Sequence, residues 1–214
     1  MRLRKVKDAS EKLKRDNNKY YIEDAKLLKG NWSNVFNNTN PIHIEIGCGK
    51  GQFMIALAKR HPDRNYVAIE KYDSVLLRTL EKAMEEDLDN LKLACMDANT
   101  ISEYFSEGEV SRIYLNFSDP WPKTCHAKRR LTSKLFLDQY KLILNEDGEI
   151  FQKTDNRGLF EFSLESFNNN GFKLSHISLD LHSDLEKYPN NITTEFEDKW
   201  SKLGPIYRLE ARLK

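Results

Sequence analysis

From Pro41 onward, short apolar runs alternate with longer stretches whose apolar residues recur every three or four positions. Residues 42–46, 66–70, 91–96, 112–117, 149–154 and 172–179 have the length and β-branched or aromatic content of strands. Residues 52–60, 74–86, 101–105, 134–144 and 159–168 carry the helical spacing between them. Alternation of this kind predicts an α/β fold with a doubly wound, mainly parallel sheet and helices on both faces. The end of the chain departs from it: residues 194–203 read as a helix, and Pro205 introduces residues 206–213, an added edge strand and the seventh in all. Ahead of Pro41, residues 20–28 have helical spacing and residues 31–41 are polar and turn-rich, so residues 1–40 read as a basic leader to a main domain at 41–214.

Composition narrows the class. A chain of 214 residues, 39% apolar and 31% charged, fits one soluble domain with a sizeable core. No window approaches the roughly 18 consecutive apolar residues of a membrane span, and the basic N-terminus lacks the apolar stretch of a secretory signal. A cytoplasmic protein without a membrane partner is expected. Cys48, Cys95 and Cys125 make no paired framework and no C-x-x-C, and Cys125-His126 are adjacent rather than at ligand spacing, so no metal is expected.

Net charge is only +1, but it is unevenly spread. Residues 1–15 carry net +5, residues 123–134 carry another +5, and the remainder is therefore −9. A single charge run is usually a solvated surface, whereas two concentrated basic segments on an acidic body suit a phosphate backbone.

Ligands of such sheets bind beyond the carboxyl ends of the strands. The acids at those ends are Glu45, Glu70, Asp97, Asp119 and Asp155. Helix capping is a plainer role for Asp73, Asp97 and Asp155, and of these it is the expected one for Asp73. The turn Gly47-Cys48-Gly49-Lys50-Gly51 lets a ligand approach the backbone, yet its third glycine is one position early for a dinucleotide fingerprint. Glu45 places negative charge beside that turn, which opposes a pyrophosphate and suits an amino group with a sulfonium, hence S-adenosylmethionine. Glu70 is then placed to accept from ribose hydroxyls and Asp97 from the adenine amine.

Residues 116–123, Asn-Phe-Ser-Asp-Pro-Trp-Pro-Lys, end a strand in a stiff loop, because proline fixes φ and lacks a backbone donor. Asp119 is thereby fixed at the rim, Trp121 offers a flat face for a nucleobase, and Lys123 lies within reach of a phosphate. The alternative is a rigid loop with its tryptophan packed inward.

Together, Glu45-Ile46-Gly47-Cys48-Gly49-Lys50-Gly51, residues 116–123, Lys128-Arg129-Arg130-Leu131, Lys153-Thr154-Asp155-Asn156 and Thr194-Glu195-Phe196-Glu197 resemble the bacterial tRNA (guanine-N7)-methyltransferases from Pro41 to the end. The resemblance implies a Rossmann-like class I S-adenosylmethionine-dependent methyltransferase fold that methylates N7 of guanine 46 in the tRNA variable loop. It also implies that Glu45, Gly47, Gly49, Glu70, Asp97 and Asp119 contact the methyl donor, with Asp119 catalytic. Lys123, Asp155, Thr194, Glu195, Phe196 and Glu197 would contact the substrate, and Cys125, His126, Ala127, Lys128, Arg129 and Arg130 the RNA. The partner would be tRNA, and either a monomer or a homodimer would serve.

Guanine N7 carries an in-plane lone pair and no proton, so direct displacement needs position and charge rather than a general base. Asp119 would hold the guanine and offset its new charge, while Asp155 or Glu197 would accept from N1–H and the exocyclic amine. Thr194-x-x-Glu197 is equally a helix capping box. Three other readings compete: an exocyclic-amine methyltransferase, whose prolines would be adjacent, a non-catalytic RNA-binding protein, and a nicotinamide dehydrogenase.

Overall fold

The structure is a computed structural model that describes residues 6–15 and 19–214. Arg2, Arg4 and Lys5 of the first basic run lie outside the described residues.

The strands are β1 (Tyr21–Ile22), β2 (Ile42–Ile46), β3 (Asn65–Glu70), β4 (Leu91–Cys95), β5 (Val110–Asn116), β6 (Leu144–Thr154), β7 (Phe172–Ser178) and β8 (Tyr207–Leu213). They form one sheet in the order β1-β4-β3-β2-β5-β6-β8-β7. Pairing is parallel from β1 to β6, while β8 runs antiparallel between β6 and β7. The reversal of strand order between β2 and β5 opens a crevice at their carboxyl ends.

Sheet side chains alternate between two cores. Ile42, Ile44, Ile46, Val67 and Ile69 face the cluster completed by helices α5 (Lys134–Ile143) and α6 (Arg157–Asn169) through Phe136, Tyr140, Phe160 and Phe167. Tyr66, Ala68, Leu91 and Leu93 face α3 (Gln52–Arg60) and α4 (Asp73–Met84) through Met54, Leu57, Leu76 and Leu80.

The sheet has eight strands among the described residues, one more than expected, because Tyr21–Ile22 pairs with Leu93 and Ala94 instead of forming a helix. A two-residue strand is too short to show a period of two. Its neighbour Tyr20 is tied down from both sides: its carbonyl accepts from Leu93 N–H and its hydroxyl from Leu88 N–H. The only helical turn described in that stretch is the 3-10 turn Ala25–Leu28. The segment ahead of Pro41 is joined to the fold elsewhere too. In α1 (Ala9–Lys14), Ala9 and Leu13 are buried in the cluster shared with α4, and in α2 (Trp32–Phe36), Trp32 is buried and stacks on Phe105 at 5.1 Å.

Residues 101–105 join a 3-10 turn, Ala98–Glu103, and the last helix, α7, spans only Glu195–Trp200. No described helix is long and apolar enough to cross a membrane.

Candidate active site

Beyond the carboxyl ends of β2 to β5 lies a cleft of 630 Å³, walled by Gly47, Gly49, Glu70, Asp97, Phe117, Asp119, Trp121 and Arg129 among others. Strands β2 to β5 each end in the cleft wall, so the sheet register brings together side chains far apart in sequence.

Gly47 (φ 81°) and Gly49 (φ 59°) occupy the left-handed region, and no described atom lies within 4 Å of where a Cβ would stand on either. The turn is therefore open to a ligand at both. Gly51 (φ 81°) serves packing instead. A Cβ there would meet Thr79 Cγ2 at 2.3 Å, so this glycine lets α3 pack against α4.

Glu45, just behind the turn, is buried. Its Oε1 accepts from Asn116 Nδ2 at 2.7 Å, and its Oε2 has no partner among the described residues. Burial pushes its pKa up to about 8, against the opposing pulls of Asn116 and Lys153. A buried carboxylate oxygen without a donor is costly unless a cation or donor reaches it. That unpaired atom, with two open glycines beside it, fits a donor carrying an ammonium and a sulfonium.

Glu70 Oε1 accepts from the backbone N–H of Lys71 (2.8 Å) and Tyr72 (3.2 Å), and Oε2 from Gly49 N–H (3.3 Å). It is thus locked to the glycine turn, with burial raising its pKa despite those donors. Asp97 realises the capping role: Oδ1 accepts from Asn99 N–H at 3.0 Å and Oδ2 pairs with Lys71 Nζ at 2.9 Å. The Asn99 backbone donor, with Lys71, holds its pKa below the usual carboxylate range. Asp73 is not a cap but the first residue of α4, bonded to its neighbour Ser74 N–H at 2.6 Å. Asp155 is not a cap either, because Asn156 takes that role at Leu159 N–H (2.8 Å) and leaves Asp155 exposed.

The loop after β5 holds Asp119 between two strained residues, Phe117 at φ 52° and Trp121 at φ 43°. A bulky residue in this region costs about 1–3 kcal/mol and needs its surroundings to hold it there. Arg130 supplies part of that hold, since its Nε donates to Pro120 O and its guanidinium to Trp121 O, each at 3.1 Å. Trp121 is half-buried on the cleft wall with the Arg129 guanidinium 4.9 Å from its ring and His126 against its edge, so it is not packed wholly inward. Arg130 is thus a brace of the loop, whereas Lys123, Cys125 and Lys128 are exposed and Ala127 and His126 half-buried along or beside the 3-10 turn Thr124–Arg129.

The end of β6 contributes a residue absent from the sequence-based expectations. Lys153 is buried, and its ammonium pairs with Glu197 Oε2, donates to Ile192 O at 2.8 Å and lies 5.0 Å from the Phe53 ring centroid. Burial lowers its pKa in spite of Glu197. Its place in the Lys153-Thr154-Asp155-Asn156 run at the end of a strand was the available signal.

Glu197 is 0% exposed, and its Oε1 contacts Asn191 Nδ2 (2.9 Å) and His182 Nε2 (3.1 Å). Both of its oxygens are therefore committed to partners inside the protein. Half of the capping box forms, with Thr194 Oγ1 accepting from Glu197 N–H at 3.0 Å. Glu195 pairs with Lys82 on α4. Phe196, 39% exposed, lies 4.8 Å from Phe117 and 5.4 Å from Trp200. The structure thus gathers Gly47, Gly49, Glu70, Asp97, Asp119 and Arg129 in one cleft, with Glu45 buried behind its glycine turn, while Glu197 is buried against Lys153 at the end of β6. It leaves Lys123, Asp155, Cys125 and Lys128 on the exposed surface. No group of three or more potential metal ligands occurs among the described residues.

The profile of a family described as "Putative methyltransferase" matches residues 39–209. A tRNA (guanine-N(7)-)-methyltransferase of Lactococcus lactis subsp. cremoris (strain SK11) is 52% identical over 213 residues, 99% of this chain and 98% of its own length. The enzyme of the same name from Listeria monocytogenes serotype 4b is 53% identical over 193 residues, covering 90% and 89%. Solved structures share the fold at low identity. The 16S rRNA methyltransferase KamB has a TM-score of 0.61 at 12% identity, covering 86% of this chain and 93% of its own. An antibiotic-related methyltransferase has a TM-score of 0.60 at 15% identity, covering 84% and 89%.

Proposed function

The chain belongs to the tRNA (guanine-N(7)-)-methyltransferase family, and on that premise we propose that it methylates N7 of guanine 46 in the variable loop of tRNA. The observation that carries this is one cleft lined both by the two open glycines, next to which the unpaired Glu45 oxygen is buried, and by Asp119 in a strained loop.

S-adenosylmethionine, when bound, supplies an electrophilic methyl group on a sulfonium. Glu45 would face its cationic amino-acid end, Gly47 and Gly49 leave it room, and Glu70 and Asp97 have lone pairs left for ribose and adenine donors. Asp119 orients the guanine and offsets the positive charge that appears on it as N7 bonds to carbon. No residue need take a proton, since N7 has none. Orientation of this kind is worth several kcal/mol of barrier, and charge offset by Asp119 adds to it.

Asp155, exposed at the end of β6, is the carboxylate still free to accept from guanine N1–H and its exocyclic amine, because Glu197 is committed to Lys153. Glu197 acts at one remove, fixing the start of α7 and with it Phe196. Lys123, Lys128 and Arg129 face the phosphates, and a tRNA substrate places the enzyme in the cytoplasm. The test compares wild type with Asp119→Asn on a tRNA transcript while donor affinity is measured separately. Loss of methyl transfer with donor binding retained is the expected result, and full activity in the variant would remove Asp119 from the mechanism.

A further inference from the structure

Phe117 borders the cleft beside Asp119, in a left-handed backbone conformation at φ 52° that large side chains seldom adopt. The surroundings hold it there. Its N–H donates to Lys153 O at 2.8 Å, and its ring lies 4.8 Å from Phe196, which stacks on Trp200 at 5.4 Å. Phe196 therefore joins two rings into a ladder, and one of them, Trp200, has Lys199 Nζ 5.3 Å from its centroid. The one ring of this ladder on the cleft wall is Phe117. Across Asp119, Trp121 already has the Arg129 guanidinium over its ring.

We propose that Phe117 presents the face on which the target base stacks, and that Phe196 and Trp200 form a rigid backstop behind it. This rests on the methyl-transfer reading above. The N7 lone pair lies in the plane of the guanine, so a surface that fixes the plane of the base also fixes the line of attack. Stacking tolerates any base, so Phe117 sets orientation and leaves base identity to the carboxylates. The strain at Phe117 then has a use, because it turns the ring toward the cleft at the point where the strand ends.

The test uses Phe117→Leu, which keeps apolar bulk without a flat face, Phe117→Gly, which suits the positive φ and removes the ring, and Phe117→Tyr, which restores a flat face. Each is assayed for methyl transfer to tRNA and, separately, for binding of S-adenosylmethionine. Leucine and glycine should lower kcat/KM for tRNA by about 10- to 100-fold with donor affinity unchanged, and tyrosine should return to within about threefold of wild type. Retention of kcat/KM within about twofold in the leucine and glycine variants overturns the proposal, as does a parallel loss of donor affinity, which would make Phe117 a wall of the donor site. A loss in Trp121→Leu that is absent in Phe117→Leu moves the stack to the tryptophan. Failure of the wild type itself to form N7-methylguanine would overturn the reaction reading, a result visible before any variant is compared.

Discussion

Replacing Glu197 by glutamine leaves the Lys153 ammonium in place while removing its charged partner. Glu197 is 0% and Lys153 6% exposed, and the remaining Lys153 partners, Ile192 O and Asn191 Oδ1, are neutral. Breaking a buried ion pair from one side costs about 3–5 kcal/mol, because the surviving charge stays out of water without compensation. In a domain of this size about 1 kcal/mol moves Tm by roughly 2–4 °C, so the variant should melt about 6–20 °C below wild type. The loss should also depend on pH. Burial already lowers the Lys153 pKa in the intact pair, and without Glu197 it should fall further. The folded variant then holds fewer protons than the unfolded chain between that lowered value and about 10.4, so its stability rises with pH across that window. Paired melts at pH 7 and pH 9 should show the gap to wild type narrowing at the higher pH. The double variant Lys153→Met/Glu197→Leu, which removes both charges, should regain most of the lost stability. Glu197→Gln melting within about 2 °C of wild type at pH 7 would mean that Lys153 finds other compensation for its charge, as would a gap that widens with pH.

Glu45 has a folded pKa near 8, above its unfolded value, so on its own it favours folding at low pH and that contribution is lost as pH rises through 8. Binding of the cationic donor should strengthen over the same range as the carboxylate ionises, and Glu45→Gln should flatten the profile in a calorimetric titration. Lys128→Ala/Arg129→Ala should reduce the salt dependence of tRNA affinity by about one to two phosphate contacts, whereas Arg130→Ala should chiefly lower kcat by releasing the Pro120 and Trp121 carbonyls. Gly51→Ala should destabilise by more than about 1 kcal/mol through its clash with Thr79, while Gly49→Ala, with open space around it, should weaken donor binding more than stability, as melts and donor titrations would show.

Much of this architecture was legible in the pattern of apolar positions. Strands β2 to β5 are short runs rich in Ile, Val, Leu, Ala and Tyr and are largely buried, so they read as strands despite His43, Glu45, Lys92 and Arg112 within them. β1 escaped because two residues carry no period, and its pairing with β4 depends on contacts some seventy residues away. The glycine turn, Glu70 and Asp119 were legible for a related reason: strand ends are predictable, and side chains at strand ends share one rim. The inner support was not. Thr194-x-x-Glu197 satisfies the capping rule by spacing alone, and nothing local to it reveals that Glu197 is committed to Lys153 on β6. Two prolines announced a stiff loop around Asp119, but the left-handed backbone at Phe117 and Trp121 depends on Arg130 and Phe196, which come from elsewhere in the chain.

The reaction is defined by the atom that is methylated. Incubating the protein with an unmodified tRNA transcript and methyl-labelled S-adenosylmethionine, followed by borohydride reduction and aniline cleavage, tests it directly. Scission at a single variable-loop guanine is the predicted result, and label incorporated without scission would contradict it by placing the methyl group on another atom.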